Sequence, residues 1–252
     1  VSRRPAGDHY SYTVYADPDT AKTFDDRRFG GPIGELVAGT QARVLLDMAG
    51  PIHQRPVLDV GTGTGRAALL FARGGANVTG LDASDEMLAI ARQRAAAEGL
   101  GVTFRLGDAH DLEFADRSFD VAVSLRVLMH TPKWRRCIAE LCRVASRLVI
   151  VDYPSAVSAA LLESMTRRLL YAAGRRTEPY QVFTHRAIAA AFERCGFAVR
   201  SVHRQFVLPI ALHKTLGSRR VTEATENLLA RAHLLEVFGS PVTLVAERCG
   251  SS

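Results

Sequence analysis

The stretch VLDVGTGTGRAALLFA, residues 57–72, restricts this chain more than any other. Val57, Leu58 and Val60 make a short apolar run suited to a buried strand. Three alternating glycines, Gly61, Gly63 and Gly65, follow, and RAALLFA opens a helix behind them. Glycines so placed permit left-handed backbone and remove side chains where a ligand must come close to the main chain. A second apolar run, residues 77–82, ends in Asp82. Strand, glycine turn, helix and acid-tipped strand make a βαβ unit, which holds an adenosine-containing cofactor at the edge of an open α/β sheet. A carboxylate at Asp82 can accept hydrogen bonds from both ribose hydroxyls, which favours nucleosides without a 2′-phosphate. Ser84, not Asp82, reads as the N-cap of the helix DEMLAIARQRA.

Glycine spacing bears on which cofactor fits. A dinucleotide fingerprint needs G-x-G-x-x-G, and its third glycine would fall at position 66, where Arg66 stands. That argues against NAD and FAD. The string D-V-G-T-G-T-G, residues 59–65, instead resembles the first motif of class I S-adenosylmethionine (SAM)-dependent methyltransferases. The resemblance implies that Asp59 organises the loop near the cofactor's amino end. It also implies that the backbone at Gly61, Thr62, Gly63 and Gly65 lies against the methionine part. Asp82 and Ala83 would then meet the ribose, and Asp108 the adenine amino group with the backbone of Ala109 nearby. Met87 and Leu125 join the expected cofactor site. The resemblance continues through residues 114–123, which match the family's F-x-D-x-S-F-D-V-A entry to the fourth strand. Ser118 and Asp120 there read as turn and strand-start residues. The ordered motifs run over residues 57–152, and the chain looks like the broad type 11 group that includes ubiquinone and menaquinone C-methyltransferases.

Alternating strands and helices imply a parallel sheet with right-handed crossovers. Strands are expected near 57–60, 77–81, 102–106, 119–124 and 147–152, and helices near 65–73, 84–98 and 132–144. Thr184 should cap a helix that Gly196 ends. A sixth strand is expected over 199–208 and a seventh from Ser240, interrupted by a helical insertion over 209–238. The family fold pairs these two strands as an antiparallel hairpin. The expected class is therefore α/β, a Rossmann-like seven-stranded class I methyltransferase sheet with N-terminal helices and helical lid inserts. As one domain, 1–252, it divides into a helical cover (1–50), a SAM-binding core (51–154), lid inserts (155–183 and 209–238) and C-terminal sheet elements (184–208 and 239–252). Helices are expected over 19–26 and 34–49. In the cover, Tyr15, Arg27 and Arg28 are candidates to reach the SAM carboxylate or the acceptor. Arg27 and Arg28 could equally pair with Asp25 and Asp26.

Composition excludes several classes. A chain of 252 residues with 47% hydrophobic content suits one soluble α/β domain. No apolar run approaches the ~18 residues of a membrane span. The first ten residues lack the apolar core of a secretory signal. Cys137, Cys142, Cys195 and Cys249 form no C-x-x-C pair, which argues against zinc and a disulfide framework and for a cytoplasmic setting. The net charge is +6, and only Lys22, Lys133 and Lys214 among the 32 basic residues are lysines. The arginine pairs are dispersed without interleaved aromatics, which argues against nucleic acid. The apolar, arginine-flanked stretch 155–176 leaves peripheral contact with an anionic membrane open.

Methyl transfer from a sulfonium needs alignment and sometimes a base, with no metal. His130, after the fourth strand, is the leading acid/base candidate. Tyr153, after the fifth, could orient a hydroxyl or line the pocket, and Asp152 reads as a buttress of that strand's end. His213 and His233 lie on an insert and could meet a substrate. The apolar inserts suit a small-molecule or lipid-like acceptor, methylated at oxygen, carbon or nitrogen. The alternatives are a SAM-binding module without catalysis and a nucleotide-dependent oxidoreductase. SAM is the expected cofactor and S-adenosylhomocysteine (SAH) the product.

Overall fold

Val57, Leu58, Val60, Val121, Ala122 and Val123 have no exposed surface. They lie on β1 (Pro56–Val60) and β4 (Phe119–Ser124), which pair in parallel at the middle of a seven-stranded sheet. Strands covered on both faces need apolar residues at successive positions, and these runs supply them. The other strands are β2 (Asn77–Asp82), β3 (Val102–Leu106), β5 (Ala145–Tyr153), β6 (Phe197–Arg204) and β7 (Val242–Arg248). The order across the sheet is β3-β2-β1-β4-β5-β7-β6, and β7 runs antiparallel to both neighbours. The computed structural model describes residues 29–173 and 180–250. The expected positions Tyr15, Arg27 and Arg28, and the helix over 19–26, lie outside the described residues.

Two apolar layers enclose the sheet. One joins β1 and β5 to α1 (Gly31–Ala49) and α2 (Arg66–Arg73), through Leu45, Ala68, Phe71, Val57 and Ile150. The other joins the opposite face to α4 (Trp134–Val144) and α6 (His185–Glu193), through Ile138, Leu141, Ile188 and Phe192. The helix α3 (Asp85–Ala97) packs on β3 and β2. Its Ser84 cap accepts the Met87 amide at 3.1 Å, and Thr184 accepts the Ala187 amide ahead of α6 at 3.2 Å. Such caps each contribute about 1 kcal/mol.

Strand order reverses between β1 and β4, and the carboxyl ends of β1, β2, β4 and β5 surround that point. Ligands bind there in open α/β sheets. Ser124 ties the junction together, its hydroxyl donating to the Val60 carbonyl at 2.9 Å. At the far end of the same strands, the Asp120 carboxylate accepts the Arg147 guanidinium at 2.6 Å, and Ser118 donates to the Ala115 carbonyl at 2.7 Å. Both are therefore turn and strand-start residues, away from the ligand edge.

Two expectations shift in detail. The lid insert expected over 155–183 begins as a turn in which Ser155 bridges to Phe183, so its helix, α5, spans only Ala160–Ala172. The sixth strand lies at Phe197–Arg204 rather than 199–208, because its register against β7 starts at Phe197↔Arg248. The insertion before β7 folds as α7 (Ile210–Leu216), α8 (Arg219–Arg231) and α9 (Leu234–Phe238).

Candidate cofactor and acceptor site

The glycine loop is held from beneath. The Gly61 and Thr62 amides donate to the Leu81 carbonyl at 2.7 and 3.0 Å, which ties the loop to β2. Asp59 is buried at 2% exposure and accepts the Thr62 hydroxyl at 2.7 Å and the Ala68 amide at 3.1 Å. One side chain thus fixes both the loop and the first turn of α2. Burial pushes the Asp59 carboxyl up from the usual 3.8 to about 6, against the pull of those two hydrogen bonds. Asp82 holds the loop from the other side. It accepts the Gly63 amide at 2.7 Å and the Ser84 amide at 3.0 Å, one on each oxygen. Burial raises its carboxyl as well, while the backbone amides work in the opposite direction.

Glycine is required at two of these positions for different reasons. Gly61 has φ +72°, and a Cβ there would stand 2.1 Å from Val127 Cγ2. Gly63 has φ +54°, and a Cβ there would meet nothing within 4 Å, so at this position it is the backbone conformation that favours glycine.

Gly61, Gly63, Asp82, Ala83, Met87, Asp108, Ala109, Leu125 and His130 line one cleft at the carboxyl edge of the sheet. The sequence brought these nine together. Asp59 and Thr62 face a neighbouring recess behind the loop, and Gly65 begins α2, close to Ala91. Tyr153 lines a separate, larger recess. Its ring is buried, its hydroxyl lies 3.0 Å from His185 Nδ1, and burial pushes the phenol up to about 12.

Asp108 is engaged by a residue that the sequence reading passed over. His110 approaches Asp108 Oδ1 with its amide at 2.9 Å and with Nδ1 at 2.7 Å. Burial alone would raise the Asp108 carboxyl, but the His110 contacts outweigh it and hold the group below the usual range. A D-x-H spacing is weak as a signal, because only the turn after β3 brings the two rings of contact together.

Arg126 is a second residue at the site that the motifs do not single out. It lines the cleft, the recess behind the loop and the larger recess, so it stands where all three meet. Its backbone has φ +60°, costing about 1–2 kcal/mol for a residue with a side chain. The Arg126 amide donates to the buried carboxylate of Asp152. A hydrogen bond to a charged group contributes about 1.5–3 kcal/mol and offsets that strain. The buttressing role expected of Asp152 is this bond.

His213 and His233 do not face the cleft. His213 is 1% exposed and its Nε2 lies 2.8 Å from Glu226, inside the insert. His233 is largely in solvent beside Glu236.

The donor set fits an adenosyl group. It offers a carboxylate oriented by two backbone amides, apolar walls at Met87, Leu125 and Ala109, and a bare glycine backbone beside them. The cleft holds about 880 Å³ of empty space, part of it open to solvent.

Comparisons with known proteins agree. A family model described as "Methyltransferase domain" matches residues 57–147. A demethylmenaquinone methyltransferase of Tropheryma whipplei is 31% identical over 191 residues, covering 69% of this chain and 79% of that protein. One from Thermus thermophilus is 37% identical over 117 residues, 44% of this chain and 53% of its own length. A magnesium protoporphyrin IX methyltransferase from Synechocystis, solved with bound SAH, shares the fold. Its TM-score is 0.61 at 20% identity, covering 94% of this chain and 99% of that one. The chain belongs to the class I SAM-dependent methyltransferases, enzymes that draw their methyl group from that cofactor.

Proposed function

We propose that this chain methylates a small, largely apolar acceptor seated in the recess between α5 and α7. The observation that carries this reading is a shared wall. His130 and Arg126 line both the cofactor cleft and that recess. The rest of the recess is mainly apolar, with Val37, Met129, Leu170, Val207, Leu208 and Ile210 among its walls.

On this reading Asp82 binds the ribose hydroxyls through lone pairs left after the Gly63 and Ser84 amides. Ala83, Met87 and Leu125 flank the nucleoside. Asp108 and the Ala109 amide meet the adenine amino edge, and the backbone of Gly61 and Gly63 faces the methionyl part. Asp59, Thr62 and Gly65 shape the loop without touching the ligand. The bound cofactor supplies a methyl group already activated on a sulfonium. The protein therefore contributes mainly alignment, the largest lever for an in-line displacement. His130 takes the acceptor's proton, since an imidazole exchanges protons near neutral pH. Tyr153, with its proton held by burial and its hydroxyl beside His185, serves as a wall of the recess. The free state of all four cysteines accords with a cytoplasmic setting.

The test is methyl transfer from labelled SAM to a panel of apolar phenols, quinols and amines, with His130→Ala beside the unmodified chain. The reading expects turnover on a member of the panel, lowered a hundredfold or more by His130→Ala while SAH affinity changes less than threefold. Turnover unaffected by His130→Ala would overturn the role of His130. Turnover only on highly charged acceptors would overturn the acceptor class.

A further inference from the structure

The helix α5 is apolar on the wrong side. A surface helix normally turns its apolar stripe to the core and its polar residues outward. Here Ser164 is the buried residue, at 2% exposure, its hydroxyl donating to the Tyr180 carbonyl at 2.7 Å. The apolar side chains most exposed on α5 are Leu162 (71% exposed), Leu169 (70%) and Met165 (54%). Spaced three and four apart, they fall on one stripe. Leaving such a stripe in water forgoes burial that α1, α2, α3, α4 and α6 achieve, and contiguous exposed apolar surface marks a contact site.

The position of the stripe points to its occupant. The other side of α5, through Ala160, Glu163 and Arg167, lines the acceptor recess. Across that recess stands α7, whose Ile210, Ala211 and Lys214 line it and whose Leu212 and Leu216 are 44% and 54% exposed. Exposed leucines thus flank the recess on both sides. Arg167, Arg168 and Lys214 accompany them, and Glu163, the one carboxylate on the two helices, pairs with Arg167 at 2.9 Å, which leaves the charge of the two helices net positive. Apolar residues with a cationic border suit the interface of an anionic bilayer, where long basic side chains keep their charge at the headgroups. A symmetric contact between two copies would instead set the same cationic border against itself. Among the described residues no helix is long and apolar enough to cross a membrane, so the contact would be peripheral.

We infer that α5 and α7 seat this protein on an anionic lipid surface, with the mouth of the acceptor recess turned toward the bilayer. The inference deepens the apolar-acceptor reading, because an acceptor dissolved in lipid would enter the recess without crossing water. Vesicle binding is read without any turnover, so its failure is separable from failure of that reading.

The experiment is co-sedimentation of the full chain with phosphatidylcholine vesicles, with and without phosphatidylglycerol. Leu162→Glu/Leu169→Glu is the variant, and both side chains are exposed enough that the fold should be unaffected. SAH affinity and sedimentation mass are measured in parallel. The expected result is binding at least tenfold stronger to the anionic vesicles, weakened by salt. The variant should lose it by tenfold or more while keeping its SAH affinity. The inference is overturned if the unmodified chain stays in the supernatant, or if the variant binds as before. It is also overturned if the variant's main effect is to turn a dimer into a monomer.

Discussion

The backbone amide of Arg126 is bound by the carboxylate of Asp152, across the ends of two neighbouring strands. The bond holds Arg126 at φ +60° where the cleft lined by Asp82 and the recess between α5 and α7 meet. Asp152→Ala should cost about 1.5–3 kcal/mol, since it removes a charged acceptor from a buried amide. Arg126→Gly should relieve backbone strain while deleting the guanidinium. Its thermal midpoint should therefore fall less than that of Asp152→Ala. Equal losses in the two variants would show that the strand-end bond does not carry the stability assigned to it.

Asp59 makes stability depend on pH in a definite direction. In the unfolded chain its proton leaves near the usual 3.8, and in the folded chain near 6. Between those values the folded protein keeps a proton that the unfolded chain has lost. Stability from this group is thus present at low pH and lost as pH rises through the window. Two pKa units correspond to roughly 3 kcal/mol. Asp59→Asn does not titrate, so its stability relative to the unmodified chain should improve by up to that amount between about pH 4 and pH 7. Urea unfolding at both pH values measures the difference, and a gap that does not change with pH would contradict the buried, raised carboxyl.

The two cleft glycines should differ in tolerance. Gly61→Ala adds a Cβ 2.1 Å from Val127 Cγ2 and strains the backbone. Together these should cost roughly 2–5 kcal/mol. Gly63→Ala meets open space, so only the backbone cost of about 1–2 kcal/mol applies. Its larger effect should fall on SAH affinity, because Gly63 lines the cleft. Denaturant midpoints and SAH titrations of both variants check this, and Gly63→Ala as the more destabilising of the two would contradict it.

One side chain, Glu226, ties together the start of the insert before β7, α7 and α8. Glu226 accepts the Val207 and Leu208 amides at 2.7 and 3.0 Å and lies 2.8 Å from His213 Nε2, with Glu226 and His213 both buried. Glu226→Ala leaves a buried imidazole and two half-buried amides without their acceptor, at a cost of about 1–3 kcal/mol for each group left unsatisfied. The loss should stay local. Hydrogen exchange over residues 207–238 should speed up sharply while β1 and β4 remain protected. Uniform loss of protection would mean that the insert and the sheet unfold as one unit.

Much of this arrangement was legible in the sequence because it is local. A strand feeding alternating glycines, an acid at the end of the next strand, and serine or threonine ahead of a helix each declare themselves within a few residues. Asp59, Gly61, Gly63 and Asp82 were found that way, as were the caps Ser84 and Thr184. Contacts made by distant segments were not legible. Nothing beside Glu226 says that it will reach the amides of Val207 and Leu208, and nothing beside His213 says that it will turn inward. The positive φ of Arg126 depends on Asp152, one strand away. The outward leucines of α5 could be counted, but which side of the helix faced the protein was fixed only by the fold.

The central claim is that Asp82 and the glycine loop bind the adenosyl cofactor. Calorimetric titration of the purified chain with SAH, beside Asp82→Ala and Asp82→Asn, tests it most directly. The account predicts micromolar binding to the unmodified chain and a loss of tenfold or more in Asp82→Ala, about 1.4 kcal/mol. Asp82→Asn, which keeps one acceptor for the loop amides, should lie between them. Equal affinity in all three proteins, or no binding of SAH by the unmodified chain, would contradict it.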